Sequence, residues 1–371
     1  MTSKIPVMKR NISALALLTL ITIGFYSNAQ NTPDENRTKN IILMIGDGMG
    51  IPQLYYTMTA VADNLNIVRS TNTAIVVTRS ANDDVTDSAA AGTAIATGTK
   101  TNNGSIGVDA DGKPVKSILK LAEENGLSTG VIATSDVTHA TPASFIANVA
   151  NRGQASEIAA QFISSGVDVF IGGGYDTFAK RKDGKNLVDS LKAHNYQVIT
   201  SPEEVASAKG DKVAGLLYPE HAPRMLDGRG DMLSTSTAKA IEILSQNDKG
   251  FFLMVEGSQI DWGGHDNNID YIRTELLDFD KAVGVALDYA KKNPQTLVII
   301  VADHETGGLT LVEHSVTKGK MEPEFSTEHH SASPVALYAF GKGADMFKGL
   351  IDNTDIFKLM LNAYQFKNRI K

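Results

Sequence analysis

The sequence predicts an α/β fold, a three-layer sandwich in which a mostly parallel central sheet is covered by helices on both faces. Three observations carry that prediction. Short, unbroken apolar runs such as "NIILMIG" (40–46) recur along the chain, as expected of strands buried on both sides. Segments with helical apolar spacing, such as "VKSILKLAEENG" with its closing glycine, alternate with those runs. Acidic and imidazole side chains follow several runs directly, at the edge where open α/β sheets bind ligands.

The first element is a processing signal. Lys4, Lys9 and Arg10 precede the apolar stretch "ISALALLTLITIGFY", and Ser27-Asn28-Ala29 then supplies a small-x-small cleavage pattern. The run Ile12 to Tyr26 is 15 residues long, short of the roughly 20 that a spanning helix needs. We therefore expect residues 1–29 to be a signal peptide and residues 30–371 to form a single domain, exported to a periplasm or secreted. No second hydrophobic span follows, so no stable membrane span is expected once the signal is removed.

Beyond residues 40–46, the strand candidates are "TAIVVT", "GVIATS", "VDVFIGG", "KVAGLLY", "FFLMVEG", "TLVIIVAD" and "VALYAFG". Helical patterns between them include "STAKAIEILSQN" and the longest, "IDYIRTELLDFDKAVGVALDYAKKN". Such alternation favours crossover connections and a parallel sheet. Segment 176–233 is more polar and irregular and is expected to make peripheral excursions. No internal repeat and no dividing linker are present.

Composition narrows the function classes. The chain has 371 residues, of which 42% are hydrophobic and 21% charged, an ordinary globular balance. Its net charge of -7 gives no electrostatic case for binding nucleic acid or an anionic membrane. Any anion site must therefore be locally positive. With no cysteine in the chain, disulfides, thiolate zinc sites and a cysteine nucleophile are excluded. Metals, if held, must be held by His, Asp and Glu.

The chemistry-bearing residues gather at strand ends. Asp47 follows "IILMI", Glu256 follows "FFLMV", and Asp303-His304 follow "LVIIVA". Asp261 and His265 lie four apart, so on a helical turn they share a face and can chelate one ion. With the pair His329-His330, this inventory suits zinc with nitrogen and oxygen ligands, and a harder ion where only oxygens meet. Two zinc ions about 4 Å apart would clamp the attacking and leaving oxygens of a phosphoryl displacement. Ser88, at the mouth of the small-residue helix "DSAAAGTAIATG", then fits as an activated nucleophile at a helix N-terminus that favours anions. Without the metal residues around it, Ser88 would read as a helix cap.

In these motifs the sequence resembles the alkaline phosphatase family. They are "GDGMG" (46–50), "DSAAAGTAIATG" (87–98), "THATPASF" (138–145), "VANR" (149–152), "VEGSQIDWGGH" (255–265), "ADHETGG" (302–308) and "EHHSASPVALYAFG" (328–341). They run in family order and span the chain beyond the signal. The resemblance implies hydrolysis of small phosphate monoesters through a phosphorylated Ser88. It implies two Zn2+ and one Mg2+: Asp261, His265 and His330 at one zinc, Asp47, Asp303 and His304 at the other beside Ser88. The magnesium would take Asp47, Thr141 and Glu256. Arg152 matches the family's phosphate-clamping arginine, whose guanidinium suits bidentate bonding to phosphate oxygens. His139 and Trp262 stand where the best-known bacterial members carry an aspartate and a lysine, close enough to the third ion to influence it. Between His304 and His330 the chain is too short for the large surface insertion of some relatives. A homodimer stays open.

Competing readings are weighed by residue. A sulfatase needs a Cys or Ser followed by x-Pro-x-Arg, and Ser88 is followed by Ala-Ala-Ala-Gly-Thr. A phosphodiesterase is disfavoured by Arg152, which suits a dianionic terminal phosphate. A silent zinc- or phosphate-binding protein would not need nucleophile, clamp and ligands together. "DADGK" (109–113) lacks the later ligands of a calcium loop, and "GRGD" (228–231) is a weak adhesion signature. "VFIGGGYD" reads as a turn, and His194, His221 and His314 as ordinary histidines.

Overall fold

The structure, a computed structural model, describes residues 1–3, 37–60, 64–313 and 321–366. The expected cleavage point after Ala29, the apolar run before it and His314 lie outside the described residues. The unit spanning residues 36–371 carries the whole sheet.

In chain order the strands are β1 (Asn40–Gly46), β2 (Asn72–Val77), β3 (Ser128–Asp136), β4 (Val169–Gly173), β5 (Gln197–Ile199), β6 (Val213–Leu216) and β7 (Phe251–Gly257). There follow β8 (Thr296–Ala302), β9 (Glu305–Thr306), β10 (Leu309–Glu313), β11 (Met321–Phe325), β12 (His330–Ser331), β13 (Val335–Gly341) and β14 (Gly349–Asp352). Ten of them form one sheet in the order β14-β2-β13-β8-β1-β7-β3-β4-β6-β5. Only β13 runs against its neighbours; every other pairing in the sheet is parallel. The expectation of a mostly parallel sheet sandwiched by helices therefore holds.

Strands β1, β7 and β8 are buried at every residue, which is why each reads as an unbroken apolar run. Helices Met232–Leu244 and Ile269–Lys292 pack on each other over one face. Helices Ser88–Thr97, Ile118–Glu124 and Asn353–Tyr364 group together over the other. Within segment 176–233, β5 and β6 extend the sheet at its edge, and a loop returns to the long helix. There the arginine of "GRGD" is buried: Arg229 pairs with Glu275 and Asp278, so no adhesion loop is displayed. Asp109 of "DADGK" accepts bonds from the Asp111 and Lys113 N–H groups, a plain turn.

Candidate active site

Every singled-out residue except Ser88, Arg152 and His330 follows or ends a parallel strand at the same edge of the sheet. Asp47 leaves β1, Thr141 and His139 follow β3, Glu256 lies within β7, and Asp303-His304 leave β8. Asp261 and His265 share the helix Gln259–His265 directly after β7, as their spacing predicts. His330 precedes its sheet strand instead, because β13 is antiparallel and begins at that edge.

Ser88 opens a helix whose ten residues are all buried. Asp87 caps it, its Oδ1 accepting from the Ala90 N–H at 2.9 Å. The small residues let the helix approach its neighbours closely. A Cβ at Gly92 would lie 2.9 Å from Ser144 Oγ. Gly48, at φ +68°, lets the chain turn after Asp47, where a Cβ would meet the Asp261 backbone at 2.7 Å.

Among the described residues, the ligand-type atoms converge in three groups. In the first, His265 Nε2 and His330 Nε2 lie 3.2 Å apart and 3.4 and 3.5 Å from the Asp261 carboxylate. Their outer nitrogens face backbone carbonyls, Nδ1 of His265 at Glu328 (2.6 Å) and Nδ1 of His330 at Thr86 (2.8 Å). A carbonyl only accepts, so both Nδ1 atoms carry hydrogen and both Nε2 lone pairs point inward when the rings are neutral, as metal binding requires.

In the second group His304 Nε2 lies 3.4 Å from Asp47 Oδ1, 3.3 Å from Asp303 Oδ2 and 3.2 Å from Ser88 Oγ. The third joins Asp47, His139 and Glu256; Thr141 Oγ1 donates to Asp47 Oδ2 at 3.5 Å, and Ser258 Oγ to Glu256 Oε2 at 2.7 Å. The His304 and His330 rings stack 3.6 Å apart, which joins the first two groups.

Electrostatics test whether cations fit. Asp47, Glu256 and Asp303 are 0% exposed. Burial, then the charges of Asp303, Asp261 and Glu256, push Asp47 well above the usual carboxylate range. Burial raises Glu256 to about 7 and Asp303 to about 6. Asp261 goes the other way, because bonds from His265 and His330 outweigh its burial. Its bond raises His265 to about 9, so a proton stands there where a cation would. Among the described residues, four buried atoms in the groups have no hydrogen-bond partner: Asp47 Oδ1, Glu256 Oε1, Asp303 Oδ2 and His139 Nδ1. Buried polar atoms without partners are costly, and carboxylates crowded together more so. Divalent cations among these donors remove both penalties, and mixed imidazole and carboxylate sets suit zinc.

Arg152 closes the site. Its Nη1 donates to Asp87 Oδ2 at 3.0 Å and its Nη2 to His139 Nε2 at 3.3 Å, so it stands beside Ser88. Burial, with the charge of Arg152, lowers His139 to about 3 and keeps it neutral. The Trp262 ring meets His139 edge-on at 6.1 Å.

Two participants escaped the sequence. Thr306 Oγ1 donates to Asp261 Oδ1 and lies 3.2 Å from His304 Nδ1, so one hydroxyl touches the first two groups. Glu305 takes the Ser331 hydroxyl and pins the strand that carries His330. His221, an exposed residue, lies with its ring 4.8 Å from that of Trp262. Thr306 and Glu305 do sit inside "ADHETGG", a signal that was available.

The comparisons agree with this geometry. The sequence model of the alkaline phosphatase family matches residues 38–322. Alkaline phosphatase 4 of Bacillus subtilis (strain 168) is 33% identical, over 95% of this chain and 97% of that protein. The solved alkaline phosphatase of the Antarctic bacterium TAB5 is 42% identical, with a TM-score of 0.85 over 90% of this chain and 100% of its own. A histidine-to-aspartate variant of that enzyme, 41% identical (TM-score 0.84; 90% and 99% covered), has Mg bound in its M3 site. The chain belongs to the alkaline phosphatase family. It is a phosphomonoesterase, a hydrolase of phosphoric monoesters.

Proposed function

We propose that the chain is an exported alkaline phosphatase that works through a phosphoserine on Ser88 at a site holding two zinc ions and one magnesium. The observation that carries this is Ser88 Oγ, 2% exposed at residue level, lying 3.2 Å from His304 Nε2 where two candidate ligand groups meet. Asp261, His265 and His330 would hold one zinc; Asp47, Asp303 and His304 would hold the other. Asp47, Thr141 and Glu256 would hold magnesium. Ions held there supply Lewis acidity, favouring deprotonated oxygens and neutralising phosphoryl charge.

Ser88 Oγ attacks phosphorus, the bond to the alcohol oxygen breaks, and the alcohol departs with the electron pair and takes up a proton. Water then attacks the phosphoserine, the bond from phosphorus to Oγ breaks, and phosphate leaves with Ser88 restored. Two inversions give net retention. Arg152 grips two phosphoryl oxygens throughout, held in place by Asp87. Export rests on the charged, apolar and small-residue pattern of residues 1–29. Among the described residues, no helix is long and apolar enough to cross a membrane.

Transfer of phosphate from an aryl ester to Tris tests the intermediate. Ser88→Ala should abolish that transfer and acid-stable labelling of the protein. Transfer that survives in the variant sinks the phosphoserine.

A further inference from the structure

His221 lies in the loop after β6, far in sequence from every other residue of the site. The loop is firmly held. The Ala222 N–H donates to the Thr134 carbonyl at 3.2 Å, and Gln259 Nε2 donates to the Ala222 carbonyl at 2.7 Å. The Glu220 carbonyl packs so close to Gly173 that a Cβ there would lie 1.8 Å from it. The Asp136 N–H donates to His221 Nδ1 at 2.9 Å, which fixes the ring.

That ring completes a corner of three nearly perpendicular rings. His221 meets Trp262 at 4.8 Å and 76°, and His139 at 6.0 Å and 89°; His139 meets Trp262 at 6.1 Å and 81°. His139 is the member in need of support. Among the described residues its Nδ1 has no hydrogen-bond partner, and its ring's one hydrogen bond is from Arg152 Nη2 to Nε2. The T-shaped contacts with Trp262 and His221 therefore hold its ring angle.

We propose that His221 is a positioning residue for the phosphate clamp: it braces His139 and Trp262 and so fixes the Nη2 side of Arg152 before phosphate arrives. Arginine has much rotamer freedom to lose, and ordering it beforehand lowers the cost of each binding event. The contacts run from His221 through His139 and Arg152 to Asp87, which caps the Ser88 helix. This inference rests on Arg152 being the phosphate clamp.

The test is the inhibition constant of inorganic phosphate for the metal-loaded wild type, His221→Ala, His221→Phe, Arg152→Ala and the Ala/Ala double variant. His221→Ala should raise that constant and KM by about three- to tenfold, the scale of losing aromatic edge contacts. Its kcat should stay within about twofold, because binding common to ground and transition states is what is lost. His221→Phe keeps a ring but loses the Nδ1 acceptor that fixes it, so it should fall between His221→Ala and wild type. In the Arg152→Ala background, removing His221 should add nothing. Trp262 is the sole tryptophan, so its emission should shift to the red in His221→Ala.

If phosphate binds Arg152→Ala as tightly as wild type, the clamp assignment itself fails. If Arg152→Ala weakens phosphate while His221→Ala does not, only the role of His221 fails. An additive double variant, a His221→Phe as weak as His221→Ala, or unshifted emission would each overturn that role as well.

Discussion

Replacing Glu256 by Gln should change protein stability in opposite directions with and without metal. Glu256 is fully buried in β7; burial, followed by the charge of Asp303, raises it from 4.5 to about 7, while bonds from Ser258 and Thr141 work against the rise. Ionising this carboxyl in the metal-free fold above pH 7 costs on the order of 3 kcal/mol. Because the folded value is the raised one, the favourable contribution is whole below about pH 4.5 and is lost as pH climbs through about 7. Gln keeps the shape and can still accept the Ser258 hydroxyl, and its amide can face the unpartnered Asp47 Oδ1.

In chelator at pH 8, Glu256→Gln should therefore unfold at a higher temperature than wild type, by on the order of 5 °C for a domain of this size. At pH 4.5 the advantage should vanish, since Glu256 is then protonated in the fold. With metal restored the sign should reverse. A hundredfold loss of affinity at a site once loaded well above its dissociation constant removes about 2.7 kcal/mol. Scanning calorimetry of both proteins, with and without chelator, reads all of these comparisons. A variant no more stable than wild type in chelator at pH 8 refutes the idea that Glu256 is a buried, uncompensated carboxylate.

Other outcomes follow from the same contacts. His330→Ala should lower zinc per chain, measured by elemental analysis, while His329→Ala, at an exposed residue whose contacts are backbone ones, should be milder; the reverse ranking would misplace the ligand. Thr306→Val strips the hydroxyl shared by Asp261 and His304, so zinc affinity in chelator competition should fall about 10- to 100-fold. Unchanged affinity would make that hydroxyl incidental. His139→Asp with Trp262→Lys should shift the third group toward magnesium and lower the inhibition constant for phosphate, since an oxygen replaces a nitrogen and a positive charge is added. Unchanged metal content and inhibition would show that these two positions control neither.

The fold was legible where burial is two-sided. Strands β1, β7 and β8 carry no alternation, and that continuity is itself the signal of a sheet covered on both faces. The edge strands were not legible. β5 has three residues and β14 four, with few buried side chains, so neither leaves a pattern long enough to read. The antiparallel course of β13 was also hidden, because strand direction depends on connections rather than on apolar content. Within the site, residues in motifs beside strand ends could be picked out, whereas His221 could not. It reaches Trp262 only because β6 lies in the same sheet and its following loop crosses back.

What the motifs could not disclose is the register that makes them one site. β1 lies between β8 and β7, with Gly46 opposite both Ala302 and Gly257. Asp47 is the next residue after Gly46, Asp303 the next after Ala302, and Glu256 the residue just before Gly257. Asp47 and Asp303 are thereby level on adjacent strands about 4.8 Å apart, and Glu256, opposite Ile45, lies two residues back along the other neighbour. Asp47, at the centre, turns Oδ1 toward His304 and Oδ2 toward Thr141, so a single side chain serves two groups. A slip of one residue between β1 and either neighbour would send alternate side chains to the opposite face. The apolar runs that fix this register thus also fix the site: the same burial that makes "NIILMIG" a strand sets its following aspartate beside Asp303 and within reach of Glu256, in a place that suits a cation.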